Sequence, residues 1–428
     1  MTAAEDRAGA GRWWLHGAGI LALAGYVGLA VIDARGGPVL VGLGLAWGAG
    51  WLAVALAGSR AAEGRPIVLG WAIAFRLVGL VTTPTWEDDY HRYLWDGYAL
   101  ATTGNPYAEA PSAAFGREDV PAAMQTALDG INHPELPTIY GPTAQLVFGL
   151  GALIAPGEFW VLKALLIVIE LSGWWALRRW LKPAGWVLAL WCPLLVMELA
   201  FAGHPEAIGL AAVAWAIAAD RTGRPIRAAG ALALGVAAKA FAWALTPFWV
   251  VRGGWRSALA GVVVVGACYL PFLAQGGAAE WPAVRAMGTV FEYNSIGFAV
   301  LQAALGNEVA RKLAPGLALV GCALIFARWW RRGRPEDIPG AEIFGVMLLF
   351  SPVVNPWYAL WLLPFLALRP QAWGVGVLAA VPLAYVHGFN LPGQAELGYQ
   401  HPVWVRPLEV AVVLAAVAVG RWRAADRG

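Results

Sequence analysis

Charge is what this sequence has least of. Asp, Glu, Lys and Arg make up 13% of its 428 residues, where soluble globular chains carry about 25%. The deficit runs along the whole length, so the solvent for most of the chain is lipid. Cysteine is scarce as well. Cys192, Cys268 and Cys322 each sit inside an apolar run, with no CxxC or Cys/His spacing. They read as small core residues, which argues against a thiolate metal site or a disulfide framework. The formal net charge is only +3, and the basic residues stand at segment ends, as at Arg178, Arg179, Arg331, Arg332, Arg421 and Arg423. That pattern signals topology and speaks against a nucleic-acid partner. No cleavable signal peptide is visible: the first apolar run is long and is followed by more of the same, so it is expected to be a membrane helix.

What is present is hydrophobic: 59% of residues, with a mean hydropathy of +0.60. Gly 52, Pro 28 and Trp 25 fit the same class, since Gly and Pro are commoner in membrane helices and Trp favours the interface. Apolar runs near 13–34, 38–57, 66–83, 138–155, 158–177, 184–200, 205–219, 226–250, 255–275, 309–327, 341–354, 356–368, 371–389 and 403–420 have lengths suited to about 30 Å of hydrocarbon. The fold expected is an all-α, polytopic transmembrane helix bundle of about 12–14 membrane segments, forming one integral membrane domain over 1–428. Two hydrophilic stretches, 84–137 and 276–308, break the pattern. Long loops among tight turns are usually functional. The first is dense in aromatics, which predicts short interfacial helices, for example over 88–103.

Lys/Arg bias sets orientation. Arg7, Arg12, Arg60, Arg65, Arg328 to Arg334, Arg421 and Arg423 fall on one side if segments alternate, and that side is the cytoplasm. Both large loops then face outward. The turns at Arg178–Lys182 and Arg221–Arg227 disagree, unless one segment, with 138–155 the suspect, does not span.

The strongest local signal opens the first loop: Glu87-Asp88-Asp89-Tyr90-His91-Arg92-Tyr93-Leu94-Trp95-Asp96-Gly97. Clustered carboxylates at a membrane surface repel one another beside low-dielectric material, which suits a general base or a metal ligand. Acids at a helix N-terminus also complement the macrodipole, so a purely capping role fits equally.

Further on stand Gly104-Asn105-Pro106-Tyr107 and Tyr140-Gly141-Pro142-Thr143-Ala144-Gln145. In order, these elements resemble the first outer loop of the polyprenyl-phosphate-sugar-dependent glycosyltransferases of the GT-C class. The closest pattern is that of the bacterial polyprenol-phosphate-mannose mannosyltransferases. Those enzymes carry an acidic pair before an aromatic, as at Asp88-Asp89-Tyr90. A second Asp follows on the next helix, as at Asp96, then a Gly-x-x-Pro-Tyr turn, here shortened to Gly104-Asn105-Pro106-Tyr107, and a Tyr-x-Pro helix start, here with Gly141 where a second Pro is usual. Gly203-His204-Pro205-Glu206 resembles their Gly-His-x-Asp/Glu turn. Lys239 followed by Pro247 resembles their intramembrane Lys-then-Pro segment. Ser351-Pro352-Val353-Val354-Asn355-Pro356-Trp357-Tyr358 resembles their late Pro-x-x-His-Pro-Trp-Tyr motif, with Asn355 where His is usual. A proton-transfer role at that position is thereby lost and a hydrogen-bonding one kept.

The resemblance implies an inverting transfer of a hexose, mannose by pattern, from polyprenyl phosphate to a lipid or glycan acceptor. The site would lie on the outer, periplasmic or extracellular, face of the cytoplasmic membrane. Asp89 would be the base and Asp88 would orient it, touch the acceptor or hold an optional divalent ion; no dedicated metal site or other cofactor is expected. The departing phosphate needs positive charge, for which Lys239, Arg76, Arg92 and Lys163 are candidates. His91, Asp96, Tyr140, Gln145, His204, Glu206, Asn355, Trp357 and Tyr358 are the further candidates for substrate contact. Structural alternatives stand beside several of these. Arg76 can pair with a buried acid, Lys163 and Glu170 can pair with other helices, and Trp357 and Tyr358 suit an interfacial belt. Lys239 has no acid near it in sequence. A transporter or flippase for a lipid-linked substrate is the competing function, but it would place broken helices at the midplane and show repeats, and no repeat is evident.

Overall fold

A computed structural model describes residues 3–58, 64–275 and 280–425. Arg60 and the first part of the second hydrophilic stretch, 276–279, lie outside the described residues. The described chain is all-helical, with a single isolated bridge between Tyr293 and Val353 and no strand among the described residues. The chain is a multi-pass helical membrane protein. Among the described residues, six stretches are long and apolar enough to cross a bilayer: Gly11–Ala34, Val39–Gly58, Phe159–Leu177, Pro183–Phe201, Ala240–Leu273 and Asn307–Arg331. Shorter apolar helices fill the spaces between them.

The first three helices, α1 (Ala3–Ala34), α2 (Val39–Gly58) and α3 (Arg65–Leu80), pack together. The first hydrophilic stretch holds α4 (Asp89–Thr103) and α5 (Ala122–Asp129). α4 falls on the interfacial helix expected over 88–103. It ends at Gly104, whose φ of 76° gives a left-handed cap with its N–H on the Leu100 carbonyl. α6 (Pro142–Ile154) and α7 (Phe159–Leu177) follow. α8 (Pro183–Trp191) and the short α9 (Pro193–Leu195) run into a π-helical turn over Val196–Phe201. Proline in the first turn starts α3, α6, α8 and α11 (Pro225–Ala238), where its missing N–H costs nothing. α10 (Glu206–Arg221) precedes α11, and α12 (Thr246–Leu273) follows it after a 3₁₀ turn, Ala240–Leu245. The second hydrophilic stretch contains α13 (Trp281–Thr289) and α14 (Gly297–Leu305). The remaining helices are α15 (Asn307–Arg331), α16 (Gly340–Phe350), α17 (Leu363–Leu368), α18 (Ala372–Ala380) and α19 (Val405–Ala425).

Two runs behave differently from simple crossings. The apolar run 138–155 does not carry the chain across. α6 starts where the Gly141 N–H meets the Ala238 carbonyl at 3.1 Å. It then lies along α4, so closely that a Cβ on Gly97 would sit 2.4 Å from the Phe148 carbonyl oxygen. Past its far end, Phe159 lies 4.6 Å from Tyr90, centroid to centroid, so both ends return to the start of α4. The run 226–250 is not one segment either. The chain reverses at Lys239, descends, and turns again at Gly254 (φ 64°), beside which Gly253 packs on Pro225.

These two facts place the basic turns together. Arg252 pairs with Asp220 and donates to the Glu336 carbonyl at 2.8 Å. Arg221 pairs with Asp337 and lies 5.9 Å over the Trp180 ring. The turns at 178–182, 221–227, 252–256 and 331–339 therefore share one end of the bundle, the end that simple alternation denied to the first two. With α6 removed from the crossings, the basic turns obey one bias.

Candidate active site

The acids gather at the opposite end. A cavity of about 560 Å³ opens there, walled by Glu87, Asp88 and Asp89 on one side and by Lys239, Asn355, Trp357 and Tyr358 on the other. Arg92, Asn132, Tyr140, Tyr385, His387 and Tyr399 complete its lining.

α4 begins at Asp89, and the Glu87 carboxylate accepts the backbone N–H groups of Asp88 and Asp89 at 3.2 and 3.3 Å. Glu87 thus satisfies backbone donors at the helix start from outside it, and the acidic run also presents Asp88 and Asp89 to the cavity. Asp89 Oδ2 accepts the hydroxyls of Tyr93, one turn along, at 3.4 Å and of Tyr140 at 3.5 Å. Asp88 Oδ1 accepts the Asn132 amide at 2.6 Å, and the same amide reaches the Tyr399 hydroxyl at 3.2 Å, which ties the late loop to the first one. Burial and the neighbouring Asp89 charge push Asp88 up to about 6. Burial, with the Asp89 charge next, holds the Glu87 carboxyl well above its ordinary range.

The second wall depends on the turn after the π-helical segment. Gly203 has φ 70°, and a Cβ there would lie 2.6 Å from the Phe159 ring. Only glycine fits, and it delivers His204 fully buried beneath Asp89. His204 Nε2 lies 4.0 Å from Asp89 Oδ2, Nδ1 lies 3.0 Å from the Glu198 carboxylate, and the ring stacks on Trp357 at 3.9 Å. Glu198 is held in turn by the Tyr385 hydroxyl at 2.9 Å. Burial disfavours a charge on His204, but the Glu198 hydrogen bond and the surrounding carboxylates outweigh it and raise the imidazole to about 9. The site calls for positive charge at this point.

Lys239, at the chain reversal, pairs with Glu206 and lies 4.5 Å over the Tyr358 ring. The acid absent from its neighbourhood in sequence is supplied by α10. Arg92 lines the cavity but spends its guanidinium on the carbonyls of His133 and Leu136, at 3.0 and 3.1 Å, fixing the first loop.

Other candidates stand behind the wall or away from it. Asp96 accepts the Gln145 amide at 3.0 Å, both side chains buried, and that amide also reaches Thr138. Burial raises the Asp96 carboxyl. His91 stacks on Tyr90 and packs against Gly130, and burial lowers it. Arg76 does not reach the cavity: it is 3% exposed and makes a two-pronged ion pair with Glu170, each bond 2.7 Å. Lys163 is buried on the carbonyls of Gly79 and Thr82. Both cations hold helices together. Glu198, Tyr385, Asn132, Tyr399 and His387 escaped the sequence reading. An acid in an otherwise apolar run was the one available signal for Glu198.

The ligating atoms of Glu87, Asp89 and His204 all lie within 4.8 Å of one another, close enough to share a cation. Residues 138–352, which carry Tyr140, His204, Glu206 and Lys239, match the profile described as glycosyltransferase family 87. The chain belongs to glycosyltransferase family 87. It is a membrane glycosyltransferase, and its substrates are therefore a sugar donor and an acceptor. No curated protein and no solved structure matches it. The family match begins after the acidic run and ends just before Asn355, so the cavity joins residues inside the matched region to the acids and the late loop outside it.

Proposed function

We propose that this glycosyltransferase is an inverting hexosyltransferase that moves mannose from a polyprenyl-phosphate donor to a lipid or glycan acceptor on the outer face of the cytoplasmic membrane. The observation that carries the reading is the single cavity that faces Asp88 and Asp89 with Lys239. A carboxylate must take the acceptor's proton while a cation receives the leaving phosphate, and both must meet at the lipid boundary.

Asp89 takes the proton from the acceptor hydroxyl. The oxygen so freed attacks the anomeric carbon from the face opposite the phosphate, whose oxygen leaves with the bonding pair. Lys239 offsets the charge on that phosphate. Asp88, oriented by Asn132, positions the acceptor. A second cavity of about 500 Å³, almost wholly apolar and bounded by Leu349, Val354, Trp373 and Val381, begins one residue beyond Val353 of the first. A polyprenyl chain suits such a slot. The basic turns at the far end of the bundle support the outward orientation of the acids. A transporter is disfavoured by the family assignment and by carboxylates gathered at one end of the bundle rather than at its midplane.

The test is transfer from radiolabelled polyprenyl-phosphate mannose to a membrane lipid extract by the purified protein. Transfer that is abolished by Asp89→Asn, in a variant that stays monodisperse, supports the assignment. Absence of transfer from any polyprenyl-phosphate hexose would refute the donor class.

A further inference from the structure

Carboxylates outnumber cations around the catalytic cavity. Glu87, Asp88 and Asp89 line it, and Glu198 and Glu206 stand directly behind. Lys239 is already engaged by Glu206. A donor phosphate would add further negative charge to this end of the bundle, at short range and away from bulk water, where repulsion is strong.

His204 carries the second observation. It is 0% exposed, yet its Nε2 has no hydrogen-bond partner and points at Asp89. Its other nitrogen, Nδ1, faces the Glu198 carboxylate at 3.0 Å, and Glu198 is fixed by Tyr385. With Nδ1–H donated to Glu198, a cation that displaces the Nε2 proton meets a lone pair directed toward Glu87 and Asp89. A carboxylate that orients a histidine whose far nitrogen is free is the usual support for a metal ligand.

The geometry points to a divalent cation site formed by the Glu87 carboxylate, Asp89 Oδ2 and His204 Nε2, at which one metal ion binds the phosphate of the donor. Ligands to a small divalent ion sit at about 2 Å, so two on opposite sides of it are about 4 Å apart. The separations here, all within 4.8 Å, close with a side-chain shift of under an ångström. Two carboxylates with one imidazole suit Mn²⁺: carboxylates favour Mg²⁺ and Mn²⁺, and the imidazole tilts the set toward the transition metal. Three protein ligands leave positions open for water and a phosphate oxygen. Asp89 Oδ1 accepts no hydrogen bond among the described residues and stays free for the acceptor hydroxyl. The phosphate role rests on the glycosyl-transfer reading above; the ion site does not, and it can be measured without any sugar substrate.

The test is Mn²⁺ binding to the chelator-stripped full chain in detergent, followed by electron paramagnetic resonance and calorimetry. One bound equivalent is expected, with affinity weakened at least ~10-fold by Glu87→Gln and by Glu198→Gln, which leaves the ligands in place. Glu308→Gln, on an exposed helix elsewhere, should leave binding unchanged. His204→Cys should exchange the preference from Mn²⁺ to Cd²⁺, since a thiolate is a soft ligand; this variant keeps the question open to measurement if His204→Gln fails to fold. Three results overturn the proposal: no bound Mn²⁺, binding indifferent to Glu87→Gln and His204→Cys, or full transfer by the chelator-stripped enzyme. The last would mean that a protonated His204 alone supplies the charge. Stoichiometric Mn²⁺ without transfer from any donor would uphold the ion site and sink the donor assignment instead.

Discussion

Lys239 is joined to Glu206 at the point where the chain reverses between α11 and α12, one cation and one carboxylate from helices that cross the bundle separately. Glu206 is 1% exposed, and one of its oxygens has no other partner. Lys239→Met removes the positive charge from the cavity and strands a buried carboxylate. Transfer should fall about 10²-fold or more, the scale of losing one transition-state charge contact. Glu206→Gln keeps the cation and should cost far less in kcat. Equal losses in the two variants, measured with labelled donor, would reduce Lys239 to a counter-ion for Glu206.

Arg76 and Glu170 test the converse, a cation that the fold consumes. The guanidinium also donates to the carbonyls of Ala72 and Leu190 at 2.9 and 3.1 Å, so it knots three helices. Removing one partner leaves an uncompensated buried charge, at a cost of about 3–5 kcal/mol. Arg76→Met or Glu170→Leu alone should therefore lower the thermal unfolding temperature markedly. The double variant, Arg76→Met with Glu170→Leu, should recover much of the loss because both charges go together. If Arg76→Met instead raises KM for the donor at unchanged stability, this arginine contacts substrate.

Gly97 sits where α4 meets α6. A Cβ there would lie 2.4 Å from the Phe148 carbonyl oxygen and 2.7 Å from its carbon, both rigid backbone atoms. Gly97→Ala must push α4 away, at a cost of about 1–3 kcal/mol. Because α4 carries Asp89 and Tyr93, transfer should fall in step with stability. Gly116→Ala is no clean control, since Gly116 has φ 76°. Gly44, with open space around it, is one: Gly44→Ala should change neither quantity.

Much of this was legible from residue type alone. Hydropathy marks where helices run, because lipid demands it whatever the tertiary contacts. The acidic run was legible as a candidate because three adjacent carboxylates at the end of an apolar segment suit a general base as well as they suit a helix cap. The path of α6 was legible only in part: the Lys/Arg bias made 138–155 the suspect for a segment that does not span, without saying where it lies. Its 13 residues are as apolar as a crossing segment, and only packing against α4 shows that the helix lies beside the site. Lys239 divides 226–250 into two arms, and no proline or charge cluster announces the reversal. The pairs Arg76–Glu170, Lys239–Glu206 and His204–Glu198 join distant segments, so a single sequence offers two unpaired charges and no means of matching them. Asn132 and Tyr399 are ordinary loop residues until the two loops meet over Asp88.

The late loop makes a prediction about acid stability. His387 is 3% exposed, its Nδ1 lacks a partner, and its Nε2 meets only the Asn390 amide at 3.2 Å. Around it stand Tyr293, Phe389, Tyr399 and a second imidazole, His401, with no carboxylate in contact among the described residues. Burial first, and His401 next, depress the His387 imidazole to about 4. The unfolded chain binds a proton at this residue near pH 6.5 while the folded one does not, so folding is increasingly opposed as pH falls from about 6.5 toward 4 and no further below that. The loss amounts to roughly 3 kcal/mol across that window. Thermal unfolding of the purified protein should therefore show a lower midpoint at pH 5 than at pH 7. His387→Gln, which cannot titrate and can still pair with Asn390, should flatten that dependence. An unaltered pH dependence in the variant would place the acid sensitivity elsewhere in the bundle.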